Sequence, residues 1–342
     1  MVERKLDPTV DPTVDPIVVP TVDPTVDPIV DPIVDMRVRI GAIELKNPVM
    51  PGSGTMGEGL ARVMDLNRIG AIVTKTITPD KREGCVPPRM LEYKDGSLMA
   101  IGIPCKGPDH YIEEILPHYR AYDTPLVCSI SAPSVEAFGK LAAKLSVAGV
   151  SVIEANISCP NLEADGRAFG MDAEASAKVI RRLKEMSNRP VWAKLTPNVT
   201  DIAAVAQAVE AAGADAITCA NGMLGMAVDV DNFQPALGNI TGGMTGPCMK
   251  PIILRMAWQV ARAVKIPVIG SGGMVTANDA LEYLMVGCSA VQIGTINFVR
   301  PTAMLAVIDG IEAFCRRKGL GAVRELTGAM RPRRNFQEQQ VA

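Results

Sequence analysis

Eight cysteines are spread over the 342 residues, at 85, 105, 128, 159, 219, 248, 288 and 315, and no two make a CxxC pair or another close metal spacing. That absence argues against a structural zinc site and against a cysteine-held iron–sulfur cluster in this chain. Only two histidines are present, His110 and His118, and nothing metal-like accompanies either, so both are read as surface residues. Charge of one sign is not in excess: the formal net charge is −2. That gives no electrostatic argument for nucleic acid or an anionic membrane. No apolar run approaches the roughly 20 residues of a membrane helix, and no secretory leader is visible. Cys128 and Cys219 sit in apolar strand-like runs, where a free thiol acts as a small hydrophobe. These features together predict a reduced, cytoplasmic protein.

Residues 1–35 stand apart. A proline recurs at every fourth position from Pro8 to Pro32, in the sequence DPTVDPTVDPIVVPTVDPTVDPIVDPIVD. Proline at that density removes amide donors and forbids helix, so the segment is expected to be an extended, disordered tail. Its period is too short for a solenoid repeat. A tether or partner-binding arm is the functional alternative. The fold is expected to occupy 36–342, and Met36 is a candidate translation start.

From Met36 onward, strand-like and helix-like patterns alternate. Short apolar runs, rich in β-branched residues, fall at 48–51, 71–78, 125–131, 150–157, 191–195, 216–220, 266–270 and 290–294. Near-continuous apolar runs suit parallel strands covered on both faces. Helical patterns lie between them, at 173–186, 200–212, 249–264 and 280–285. Thr276 and Asp279 have the spacing of a capping box ahead of the last. Eight such strands in about 300 residues favour a (β/α)8 TIM barrel over an open doubly wound sheet.

In such a barrel, ligand chemistry collects at the C-terminal strand ends. Lys75, Asn156, Cys159, Lys194, Asn221, Gly272-Gly273 and Gly294-Thr295 all end or follow predicted strands. The late glycines let backbone amides approach a phosphate, at the strands where barrels usually bind one. Two lysines in an apolar setting need negative charge opposite them. A cofactor that gains negative charge on reduction, such as a flavin, meets that need. Cys159, in Ser158-Cys159-Pro160-Asn161, is placed to exchange protons rather than to fill a core.

The motifs NPVMPGSGTMGEG (47–59), GAIVTKTIT (70–78), NISCPN (156–161), KLTPNVTDI (194–202), LGMAVDV (224–230), NITGGMTGP (239–247), IPVIGSGGM (266–274) and GCSAVQIGTINF (287–298) resemble the class 1 dihydroorotate dehydrogenases, closest to the catalytic subunit of the NAD-linked (class 1B) type. The resemblance implies an FMN-containing barrel that oxidises dihydroorotate to orotate in pyrimidine biosynthesis. A proton passes from C5 to a cysteine base, matched by Cys159, and a hydride from C6 to flavin N5. It further implies flavin contacts from Ser53, Lys75, Thr76, Ser129, Asn156, Lys194, Ala220, Gly246, Gly272, Gly273, Gly294 and Thr295. Lys194 matches the lysine that stabilises anionic reduced flavin. Substrate contacts are implied for Lys75, Asn156, Asn161, Asn221 and Gly222, and for the loop Met99, Ala100, Ile101, Gly102 and Ile103. The same resemblance implies a partner subunit carrying FAD and a 2Fe-2S cluster, and a homo- or hetero-oligomer.

The substrate side departs from the family pattern. Met99 replaces an asparagine, Gly222 replaces a hydroxyl residue, and Ser129 stands where an asparagine usually touches the flavin. Each lost polar contact is worth about 1–3 kcal/mol. These changes leave open, from the residues alone, a related flavin enzyme acting on another dihydropyrimidine or cyclic amide. A flavin-free phosphate-binding isomerase and a non-catalytic scaffold are the readings from other classes.

Overall fold

The computed structural model describes residues 33–158 and 169–332. The predicted tail up to Pro32 lies outside the described residues, as do Cys159 and Asn161. Eight parallel strands form one sheet: β1 (Val49–Pro51), β2 (Ile72–Val73), β3 (Leu126–Ile130), β4 (Val152–Asn156), β5 (Val191–Lys194), β6 (Ala216–Cys219), β7 (Val268–Gly270) and β8 (Ala290–Ile293). They run in chain order around the sheet, and β8 pairs back with β1 in the register Val291↔Val49 and Ile293↔Pro51. The Gly70 amide donates to the Val49 carbonyl at 2.8 Å, which ties the approach to β2 to β1 at the remaining seam. All eight predicted apolar runs are strands of this one barrel.

Its outer layer follows from the helical patterns. Helices α1 (Val135–Leu145), α2 (Ala173–Met186), α3 (Ile202–Ala211), α4 (Lys250–Ala263), α5 (Ala277–Met285) and α6 (Ala303–Lys318) each bury an apolar stripe against the strands. Asp201 caps α3 by accepting from the Ala203 and Ala204 amides at 2.9 and 3.1 Å. The Thr276–Asp279 capping box forms as expected. Such a cap contributes about 1 kcal/mol.

The second strand is shorter than the apolar run 71–78 predicts, and the reason bears on function. The Thr74 amide bonds the Val127 carbonyl, and the next ladder bond runs from the Ile77 amide to Ser129. Lys75 and Thr76 are thus extruded between two ladder positions. A bulge of this kind re-aims a side chain, and here it turns Lys75 into the barrel mouth.

Two antiparallel elements escape the strand reading. The Val38–Ile40 and Ile43–Leu45 hairpin sets its Gly41 turn against Asp215, just ahead of β6, at the bottom of the barrel. At the opposite end, Met90–Tyr93, Gly96–Met99, Gly242–Thr245 and Met223–Gly225 form a four-stranded sheet. The described chain is also tied at its start: the Asp35 carboxylate meets Arg324 at 2.8 Å and its amide bonds Gly321. No helix among the described residues is long and apolar enough to cross a membrane.

Candidate active site

A cavity of about 620 Å³ opens between the C-terminal strand ends and the four-stranded sheet. That size lies within the ~300–1,000 Å³ of small-molecule sites. The strand ends bring Ser53, Lys75, Thr76, Asn156, Lys194, Ala220 and Asn221 to its wall, although 168 positions separate the first from the last. Gly272, Gly273, Gly294 and Thr295 follow β7 and β8 on another side. The antiparallel sheet and its loops contribute Met99, Ala100, Ile101, Gly102, Ile103, Gly222 and Gly246. Ser129 is the exception: it is fully buried, and reaches the site only through a 3.0 Å hydrogen bond with the Thr76 hydroxyl.

Lys194 holds the floor. Burial presses its pKa below the usual 10.5, and the attraction of Glu154 opposes that. Its ammonium donates to Gln292 Oε1 at 2.9 Å and to Ser53 Oγ at 3.3 Å. Lys75 also has its pKa lowered, first by desolvation, with Cys105 opposing. The residue stands exposed in the open mouth, so water blunts that effect.

The glycine wall is built by close packing. Gly273 has φ +71°, and a Cβ there would come within 2.7 Å of the Lys250 amide nitrogen. Tyr283 donates its hydroxyl to the Gly272 carbonyl at 2.7 Å, which fixes that peptide. The amides of Gly272 and Gly273 donate to no group among the described residues, and they are left for whatever occupies the cavity.

A polar group lies where β4 and β6 end. Ser158 donates to Asn156 Oδ1 at 2.7 Å, and Asn221 Nδ2 donates to the Ser158 hydroxyl and, at 3.3 Å, to Asn156 Oδ1. The acceptor of Asn156 is thereby consumed, and its NH2 is turned outward as a donor. Asn198, which the sequence reading passes over, pins the lid strand by accepting from the Leu224 amide at 2.8 Å and donating to the Gly222 carbonyl at 3.3 Å. The stretch Gly52-Ser53-Gly54-Thr55-Met56-Gly57 has the GxGxxG spacing after a strand. Only a 3-10 turn, Glu58–Arg62, follows it, not the helix a dinucleotide fingerprint requires.

A parallel eight-stranded barrel with a buried lysine, and with glycine amides after strand seven that are unpaired among the described residues, is of the α/β barrel class, whose phosphate sites usually follow strands seven and eight. Comparison with known sequences makes this specific. The dihydroorotate dehydrogenase family profile matches residues 35–315, and this chain belongs to that family. It is 45% identical over 298 residues to the dihydroorotate dehydrogenase B (NAD(+)) catalytic subunit of Parabacteroides distasonis, covering 86% of this chain and 98% of that protein. The proteins of the same description from Desulforamulus reducens and Bacteroides thetaiotaomicron are 45% and 42% identical, at 86% of this chain and 98% of theirs.

Proposed function

We propose that this chain is a catalytic subunit that oxidises dihydroorotate to orotate in pyrimidine biosynthesis, with FMN as its cofactor. It is an oxidoreductase acting on a CH–CH bond. The observation that carries the reading is the Lys194 ammonium, buried at the cavity floor across from the unpaired amides of Gly272 and Gly273. A buried cation is costly unless it is compensated, and its acidic neighbour Glu154 reaches it only through the Gln292 amide, which leaves the cavity side of the ammonium for an anionic ligand.

The lining suits FMN. The Gly272 and Gly273 amides are unclaimed donors for its phosphate, joined by the backbone of Gly294 and Thr295. Lys194 supplies positive charge for the ring, and Ser53, Thr76, Ala220 and Gly246 complete the wall. When bound, the flavin supplies a two-electron acceptor for the substrate hydride.

The remaining chemistry belongs to the side chains. Asn156, its oxygen already engaged, offers its NH2 to a carbonyl or carboxylate of the substrate. Asn221 is held beside it through Ser158 and presents a second amide. Lys75, thrown into the mouth by its bulge, attracts the orotate carboxylate. Cys159 takes the C5 proton, and Asn161 follows it on the same segment. Met99 and Gly222 narrow the polar contacts on the lid side, and the asparagine group and Lys75 bear the recognition instead.

Electrons leave through a separate subunit carrying FAD and a 2Fe-2S cluster. In support, relatives 45% identical to this chain are described as catalytic subunits of an NAD(+)-linked enzyme. A cytoplasmic location belongs to the same reading. The direct test is anaerobic addition of dihydroorotate to the purified yellow protein. Prompt bleaching with orotate formed mole for mole is the expected result. Flavin that dithionite bleaches and dihydroorotate leaves untouched would overturn the substrate assignment and favour another dihydropyrimidine.

A further inference from the structure

Inside the barrel, β4 carries a carboxylate that none of the steps above uses. Glu154 is fully buried, and it is the only acidic side chain so buried among the described residues. Its Oε2 accepts from Gln292 Nε2 at 2.6 Å and from Thr218 Oγ1 at 2.9 Å. Its Oε1 has no donor among the described residues. Gln292, on β8, is the bridge: its NH2 faces Glu154 and its oxygen accepts from Lys194.

That arrangement has a direction. A carboxylate only accepts and an ammonium only donates. Rotating the Gln292 amide by half a turn would set oxygen against carboxylate and NH2 against ammonium, two repulsive contacts in place of two hydrogen bonds. Glu154 therefore fixes which way Gln292 points, and Gln292 fixes where Lys194 points. The layer holds no competing charge. Trp192 from β5, Thr218 from β6, Gln292 from β8 and Ser53 after β1 are neutral, and Glu154 is the one charged group acting on Lys194.

We propose that Glu154 is a positioning residue for Lys194, holding the ammonium at the cavity floor through Gln292 and keeping it charged in a site that burial would otherwise neutralise. The inference rests on the assignment of Lys194 to the flavin.

The test uses the holoenzyme. Glu154→Gln keeps the shape of the side chain and removes its charge. The midpoint potential and visible spectrum of the bound flavin are titrated against pH, in wild type and variant. An opposite charge within about 4–6 Å moves a pKa by about 1–3 units, and Glu154 acts on Lys194 across the Gln292 amide. The inflection for Lys194 is expected to fall by at least about one unit in the variant. A flavin-bound variant with the wild-type inflection overturns the proposal and leaves the cofactor reading standing. A wild-type protein that binds no flavin removes the cofactor reading, and the proposal with it. If Glu154→Gln does not fold, Gln292→Leu decides, because it cuts the bridge between Glu154 and Lys194: a flavin-bound Gln292→Leu protein with the wild-type inflection overturns the proposal.

Discussion

Replacing Lys194 with methionine keeps the bulk of the side chain and removes its charge. Lys194 is 4% exposed, so water and salt screen it little. A unit charge about 4 Å from a developing anion is worth about 4 kcal/mol at an effective dielectric near 20. Loss of one preorganised electrostatic group typically costs about 10²–10³-fold in rate. The two estimates agree, and they set the expectation for Lys194→Met. Flavin bleaching by dihydroorotate, followed by anaerobic stopped flow, should slow by about 10²–10³-fold while the flavin stays bound through the glycine amides. The variant should also melt earlier, because the buried Gln292 oxygen loses its donor, and an unsatisfied buried polar group costs about 1–3 kcal/mol. A variant that bleaches within tenfold of wild type would refute the electrostatic role.

Other predictions address the base, the lid and a cap. Cys159→Ala should lose about 10²–10⁴-fold in oxidation rate yet keep its yellow colour, read as turnover against flavin content. Gly246 has φ +101°, and a Cβ there would come within 2.6 Å of Gly96 Cα. Gly246→Ala should therefore destabilise the junction of lid and barrel by about 1–3 kcal/mol, seen as a lower Tm. Asp279 is pushed up by burial, but its bond to Lys250 and those from the Val275 and Thr276 amides outweigh this and hold its pKa below 3.8. Because the folded value lies below the unfolded one, its contribution is present above pH 3.8 and is lost as pH falls through the folded value. Asp279→Asn should accordingly show a shallower loss of stability on acidification, measured by urea unfolding at a series of acid pH values.

The barrel strands were legible because each is a short β-branched run with both faces buried, so composition alone marks it. The mouth was legible in part, since Lys194, Asn221 and the Gly272-Gly273 pair end or follow such runs. Other features depend on contacts that no local pattern carries. The bulge at Lys75 and Thr76 is invisible in GAIVTKTIT, where β-branched residues stand on both sides of Lys75, from Ile72 to Thr74 and from Thr76 to Thr78. The antiparallel sheet over the mouth joins Gly96–Met99 to Gly242–Thr245 across about 145 positions of short, glycine-rich chain with weak strand patterning. Glu154 sits in a largely apolar run, VSVIEANI, and reads there as its one charged interruption. Its partner Gln292 lies 138 residues away, and only barrel closure brings the two together. Ser129, read as a flavin contact, stands behind Thr76 because the bulge places Thr76 between it and the cavity.

The measurement that tests the central claim most directly is an anaerobic visible spectrum of the purified protein, taken before and after dihydroorotate. The account predicts a flavin spectrum that bleaches promptly on addition, with orotate formed in equal amount. A colourless protein, or a flavin that dihydroorotate does not reduce, would contradict it.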